Sequence, residues 1–148
     1  MPTSTRFAVA VHILTALAVG DGKPMRSEDL AYSANTSPVV IRGLLSRLSD
    51  AGLTRSQLGA GGGTMLARAA KKIKLLDVYE AVEDTELFSL HRTPPCESCA
   101  VGGNILEAMQ PTLMRARKGL ENELAKVTIG DIASEVARLG RFTMPLTW

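Results

Sequence analysis

The stretch from Ser27 to Leu66, SEDLAYSANTSPVVIRGLLSRLSDAGLTRSQLGAGGGTML, constrains the fold more than any other part of the chain. Ser37 suits an N-cap, Pro38 the first helical position and Gly52 the left-handed position beyond the last turn, so residues 38–51 are predicted to be helical. Ile41, Leu44, Leu45 and Leu48 recur at helical spacing and make one apolar face. Arg42, Ser46, Arg47 and Ser49 occupy the other. A shorter helix begins at Ser27, with Glu28 and Asp29 in its first turn and Leu30 and Ala31 facing inward, and it ends by Ala34. Asn35-Thr36 then links two helices in the manner of a helix-turn-helix. Leu53 to Leu58 alternates loosely, Gly59-Ala60-Gly61-Gly62-Gly63 reverses the chain, and Thr64-Met65-Leu66 returns. That pattern predicts a hairpin, or wing.

The remaining chain must complete this unit. At 148 residues it suits one compact domain, or a small domain with an appended helical segment. Residues 1–74 hold ten Lys/Arg against four Asp/Glu, whereas residues 75–148 hold seven against eleven. A basic first half suits a polyanion, and an acidic second half suits protein contacts or plain solvation. His12 and Thr15 interrupt the apolar run from Phe7 to Val19, and no cleavage site follows. No stretch is long enough to span a bilayer, so the expectation is a cytoplasmic protein without a membrane partner. Two cysteines without an export signal fit a reducing compartment.

Ser4 or Thr5 can cap a first helix running to about Val19. Its apolar residues cover two sides, so a further helix, for example from a partner subunit, is expected on the second side. Lys71, Lys72 and Lys74 surround Ile73, and Asp77 opens a helix carrying Val78, Ala81 and Val82. Pro94 and Pro95 place His91, Cys96 and Cys99 in a loop. A long helix from Asn104 carries a coiled-coil-like seam of Ile105, Met109, Leu113, Ala116, Leu120, Leu124 and Val127. Pro111 should kink it or displace its start. Thr128 and Asp131 fit a capping box for a last helix ending near Gly140, which buries Ile129, Ile132, Val136 and Leu139. The expected organisation is a winged helix-turn-helix DNA-binding domain over 1–84, a cysteine-containing loop over 85–103, dimerisation helices over 104–140 and an unassigned tail over 141–148. The fold class is mainly α with a small β-hairpin wing.

In a helix-turn-helix the N-terminal end of the second helix reaches base edges. Those residues are Thr36, Ser37, Val39, Val40, Arg42 and Gly43. Arg42 suits guanine, and Val39 or Val40 the thymine methyl. Arg47, Arg55, Arg68, Lys71 and Lys72 suit phosphate, with Arg55 and Arg68 also near a minor groove. The blander reading is an all-helical packing module with a decorative hairpin, acting through protein partners. The glycine cluster is not a nucleotide cradle: Thr64-Met65 stands where a phosphate loop needs Lys-Ser/Thr, and the dinucleotide fingerprint also fails. No carboxylate pair or nucleophile–base spacing stands out, so an enzyme is not expected, and His12 belongs to packing or an interface. His91, Cys96 and Cys99 allow three readings: a thiol redox pair, a metal site, or ordinary loop residues. No cofactor is expected.

RFAVAVHILTALA, NTSPVVIRGLLSRLSDAGL, GAGGGTMLAR, KIKLLDVYEAVED and CAVGGNI together resemble the Rrf-two family of bacterial winged-helix transcription regulators, the IscR/NsrR/CymR type, and within it the YwnA-like branch. The resemblance extends to about Gly140. It implies a homodimeric DNA-binding regulator, in the first instance a repressor, whose helix from about Asn104 to Val127 packs against its mate with help from the first helix. Thr64 departs from the family, many members of which have tyrosine after the glycines. Some members hold an iron–sulfur cluster with three cysteines in the loop; here there are two, and Cys99 is the better match to the family position. A cluster wants four ligands, mostly thiolates. The resemblance therefore leaves a redox or metal sensor with subsidiary DNA binding as the alternative.

Overall fold

The computed structural model describes residues 4–84 and 86–146. Its order is α1 (Arg6–Val19), α2 (Ser27–Ala34), α3 (Pro38–Asp50), β1 (Thr54–Gln57), β2 (Gly63–Leu66), a 3₁₀ turn (Ala70–Lys72), α4 (Leu75–Val82), α5 (Ile105–Ala125) and α6 (Ile129–Gly140). The fold is mainly helical with a two-stranded antiparallel hairpin, as the sequence pattern implies. Among the described residues no helix is long and apolar enough to cross a membrane.

The core lies where α1 to α4 converge. Ile13, Leu14 and Leu17 of α1 meet Leu30 of α2, Ile41 and Leu48 of α3, and Val78 and Val82 of α4, all essentially inaccessible to water. Burying each such side chain contributes about 1.5–3 kcal/mol, which makes this cluster the main anchor of the helix-turn-helix. Neither Ser4 nor Thr5 alone caps α1. Ser4 Oγ accepts from Arg6 N–H at 3.2 Å, and Glu83, just past α4, accepts from Phe7 N–H at 3.1 Å. Glu83 also takes the Ser4 hydroxyl at 2.7 Å and pairs with Arg6 at 3.3 Å. A carboxylate at a helix N-terminus meets free amides and the positive end of the dipole, so Glu83 ties the start of α1 to the end of α4.

The second side of α1 packs against α6 of the same chain, which supplies the further helix expected there. Ile129, Ala133 and Ala137 are buried, and Ile129 N–H donates to Ile73 O at 2.8 Å. Thr128 and Asp131 close the capping box at 2.9 and 3.1 Å. Of the residues expected inside on α6, Val136 and Leu139 are instead 40% and 66% exposed. The left-handed residue that ends α6 is Arg141 rather than Gly140. A groove of about 380 Å³ remains between α1 and α6, and at its edge His12 Nε2 lies 2.8 Å from Ser33 Oγ. The unassigned tail returns to α1, where Leu146 N–H donates to Val19 O at 2.9 Å. Thr147 and Trp148 of that tail, residues 1–3 of the first segment and Thr85 of the loop fall outside the described residues.

α5 differs from every other long helix. It has no buried residue, and the body meets it through α4. It begins at Ile105, ahead of Pro111, so the proline does not displace the start.

Candidate nucleic-acid interface

Ser37 Oγ accepts from Val40 N–H at 3.3 Å and Pro38 opens α3, so both punctuation marks perform their expected roles. At the other end Leu53 N–H reaches Leu48 O at 2.9 Å and Gly52 N–H reaches Ser49 O at 2.9 Å, with Gly52 at φ +74°. This pair of bonds is the Schellman closure that glycine permits. α2 ends on Asn35 in the left-handed region, which turns the chain within a few residues into α3.

The helix so fixed divides its residues sharply. Ile41, Leu44 and Leu48 are buried in the core, whereas Val39 is 70% exposed and Val40 46%. A Cβ built on Gly43 would meet nothing within 4 Å. Ser37, Val39, Val40, Arg42 and Gly43 are all exposed, and Thr36 is partly so. The first two turns of α3 therefore present an open surface, rigidly backed by the core. Arg42 is not wholly free: its Nη1 lies 3.8 Å from Glu28 Oε1 of α2. Both groups are exposed, so the pair is weak and its partner exchangeable. Sequence reasoning passed over Glu28 as a helix-start residue and overlooked Tyr32, which is 90% exposed on α2. The signal for Tyr32 was an aromatic one position beyond the inward Leu30-Ala31 pair.

The wing has the expected strands, with Thr54 opposite Leu66, Arg55 opposite Met65 and Gln57 opposite Gly63. Its burial does not alternate: Thr54 alone is buried on β1 and Thr64 alone on β2. Thr64 exchanges both backbone bonds with Met25, at 2.8 and 2.9 Å, so Met25 adds a third, one-residue rung that no sequence pattern announced. A threonine there is part of the sheet interior. A Cβ on Gly63 would lie 2.5 Å from Met25 O, and one on Gly62 would collide with Gln57 O. The glycines serve close backbone packing. Leu58, beside the turn, is 92% exposed.

The expected phosphate contacts separate into different places. Arg55 is exposed on β1. Arg68 leans over the end of α3, with Nη2 3.5 Å from Ala51 O. Arg47 stays exposed, while its Nη1 donates to Val82 O at 3.2 Å and so meets the C-terminus of α4. Lys71 and Lys72 are exposed in the 3₁₀ turn, which packs on α6, and the Lys71 stem lies close over Gly130.

The seam residues Ile105, Leu113, Leu120, Leu124 and Val127 are half-buried, while Met109 and Ala116 are exposed. Beside it, Leu87, Phe88 and Leu90 line a groove of about 440 Å³ against Leu106, Leu113 and Met114. Cys96 and Cys99 are exposed and free, and His91 is exposed as well. Hydrogen bonds hold both thiols below their ordinary pKa: the Ser98 hydroxyl and then nearby backbone amides for Cys96, and the amides of Gly102 and Val101 for Cys99. Among the described residues no three His, Cys, Asp or Glu side chains converge as a metal site.

A helix-turn-helix on a packed core, followed by a two-stranded wing, defines a winged helix-turn-helix protein. The family model described as "Rrf2: Iron-dependent Transcriptional regulator" matches residues 3–135, and the chain belongs to that family of transcription regulators, which are not enzymes. It is 36% identical over 134 residues to the HTH-type transcriptional regulator YwnA of Bacillus subtilis (strain 168), covering 90% of this chain and 98% of that protein. A crystal structure of a DNA-binding protein superposes with a TM-score of 0.69 at 37% identity, over 86% of this chain and 97% of the other. CymR, the global cysteine regulator of B. subtilis, superposes with a TM-score of 0.68 at 25% identity, over 91% of this chain and 98% of that one. The iron in the family description does not fit the donors present. Two thiolates with no converging third side chain fall short of the four ligands of an iron–sulfur cluster.

Proposed function

We propose that the chain acts as a homodimeric repressor in the cytoplasm, reading a pseudo-palindromic operator with two copies of α3. The observation that carries the reading is the division of α3 between a buried seam and an open first two turns ending at Gly43. An exposed, rigidly held N-terminal turn is what major-groove recognition requires. Val39 and Val40 would meet thymine methyl groups, and Arg42 would exchange Glu28 for a guanine edge. Ser37 would keep its cap, and Thr36 would contact the backbone. Arg55 and Arg68 would hold phosphates beside the wing, and Lys71 and Lys72 would add charge, giving a steep salt dependence.

Dimerisation supplies the second half of the reader. The seam from Ile105 to Val127 has no fully buried residue and fits a second copy of the same helix. Two α3 helices about 34 Å apart would engage successive major grooves. Residues 104–128 are thus the proposed dimerisation segment, whereas α6 belongs with the body formed by residues 4–84.

Selection of bound DNA from a random duplex pool, with light scattering of the free protein, tests both parts. The expected result is an inverted repeat bound by a dimer. Enrichment of a single unrepeated half-site, or no enrichment, would overturn the reading.

A further inference from the structure

The tip of the wing carries one large side chain and no charge. Between Gln57, the last residue of β1, and Gly63, the first of β2, the chain reads Leu58-Gly59-Ala60-Gly61-Gly62. Leu58 is 92% exposed and lies just beyond the last rung of the ladder, Gln57 opposite Gly63. The loop around it is closed by its own backbone. Gly62 N–H donates to Gly59 O at 3.1 Å, and Gly59 and Gly61 take φ of +91° and +75°. A Cβ on Gly62 would overlap Gln57 O and lie 2.9 Å from Gly59 O, so the loop has no room for a further side chain there. The base of the wing is fixed to the body by the two backbone bonds between Thr64 and Met25. Only residues 51–53 separate α3 from β1, so the tip is held at a set offset from α3.

A single exposed leucine is ordinary on a protein surface. This one differs in how it is carried, on a loop otherwise reduced to backbone and one methyl group. The minor groove of B-DNA is only about 6 Å wide, and a loop so thin suits it. No side chain from Gln57 to Gly63 is charged, so the tip itself offers nothing to phosphate. An apolar side chain brought into the minor groove can wedge between base pairs, part their stacking and kink the duplex toward the major groove. Pyrimidine–purine steps yield most easily to such a kink. We propose that Leu58 is an apolar wedge that enters the minor groove beside each half-site and selects a flexible pyrimidine–purine step there. Arg55, exposed on β1 behind the tip, is left for phosphate. The wedge rests on the DNA reading of α3 and adds to it a second readout, of deformability rather than of base edges.

The test uses the full chain and the duplex it enriches from a random pool, labelled with a donor and an acceptor dye at its ends and with 2-aminopurine in place of adenine at the flanking step. Wild-type binding should raise both energy transfer and 2-aminopurine emission, as the duplex bends and the step unstacks. Leu58→Ala, at an exposed position, should melt like the wild type and select the same half-site. It should raise neither signal and bind about 10-fold more weakly. Leu58→Met should keep both signals. Leu58→Lys should lose the bend and steepen the salt dependence, as a phosphate contact does. The wedge is overturned if the bound operator stays straight, if Leu58→Ala bends it as the wild type does, or if Leu58→Lys binds more tightly with the bend retained. Enrichment of half-sites with no preferred flanking step sinks the wedge alone, whereas enrichment of no sequence sinks the α3 reading and the wedge with it.

Discussion

α3 and α5 are both amphipathic and both carry a Leu-rich stripe, yet the molecule uses them in opposite ways. In α3 the stripe is consumed by the chain's own core: Ile41 and Leu48 are wholly buried and Leu44 nearly so. In α5 no residue is buried, and its seam lies half open. A stripe satisfied from within leaves the helix free to offer its other surface to a ligand, and a stripe left open calls for a second helix. The first expectation is therefore the largest in energy. Ile41→Ala removes a fully enclosed side chain of the shared core and should cost about 2–5 kcal/mol of stability in a urea melt. A cost below 1 kcal/mol would mean that α3 is not anchored as described.

The same substitution logic inverts on α5. Leu120→Glu together with Met109→Glu should alter the melting curve of the single chain far less than Ile41→Ala, because Met109 is exposed and Leu120 only half-buried. Light scattering should instead show a monomer. Operator affinity should fall by about 100-fold or more, as two linked half-site contacts become independent. A dimer that survives both charges would place the interface elsewhere, with the groove between α1 and α6 as the first surface to examine.

This contrast was largely legible in the sequence, because α3 has local punctuation. Ser37, Pro38 and Gly52 act on their own helix ends, and a local rule needs no knowledge of the rest of the fold. The α5 seam was legible for the same reason, by period alone. What escaped were groups whose partners lie far along the chain. Glu83 meets α1 across 76 residues, Arg47 meets Val82 across 35, and Met25 pairs with Thr64. Arg47 looks like any basic residue on a polar face until the end of α4 is known to stand beside it. For α6 the stripe alone does not name its partner, because it matches a dimer helix as well as a helix packed on α1. Period reports that a face is buried, not against what.

Arg42 brings the comparison down to one side chain on the open face of α3. Its pairing with Glu28 is exposed and long, so Arg42→Ala should barely alter stability. It should cost about 1–3 kcal/mol of binding at one operator position and flatten the preference there. Lys71→Ala should by contrast lower affinity for specific and random duplex alike, and reduce the salt slope by about one. If Arg42→Ala binds every duplex less well by the same factor, its role is phosphate contact. Fluorescence anisotropy over a set of single-base operator variants separates the two outcomes.

The smallest effect is the sharpest discriminator. Gly43 in α3 and Gly119 in α5 are both helical glycines whose Cβ would meet nothing within 4 Å in the single chain. Helix propensity alone says that alanine at either position should stabilise the fold by up to about 1 kcal/mol. The two should then part company on DNA. A methyl group at position 43 stands on the surface proposed to enter the major groove, where the helix backbone approaches the base edges. Gly43→Ala should therefore raise the melting temperature and weaken operator binding together, a trade that no loss of folding can produce. Gly119→Ala should raise the melting temperature and leave operator affinity unchanged. If both variants gain stability and bind DNA like the wild type, α3 does not approach the duplex at Gly43, and its reading surface is confined to the first turn around Val39 and Val40.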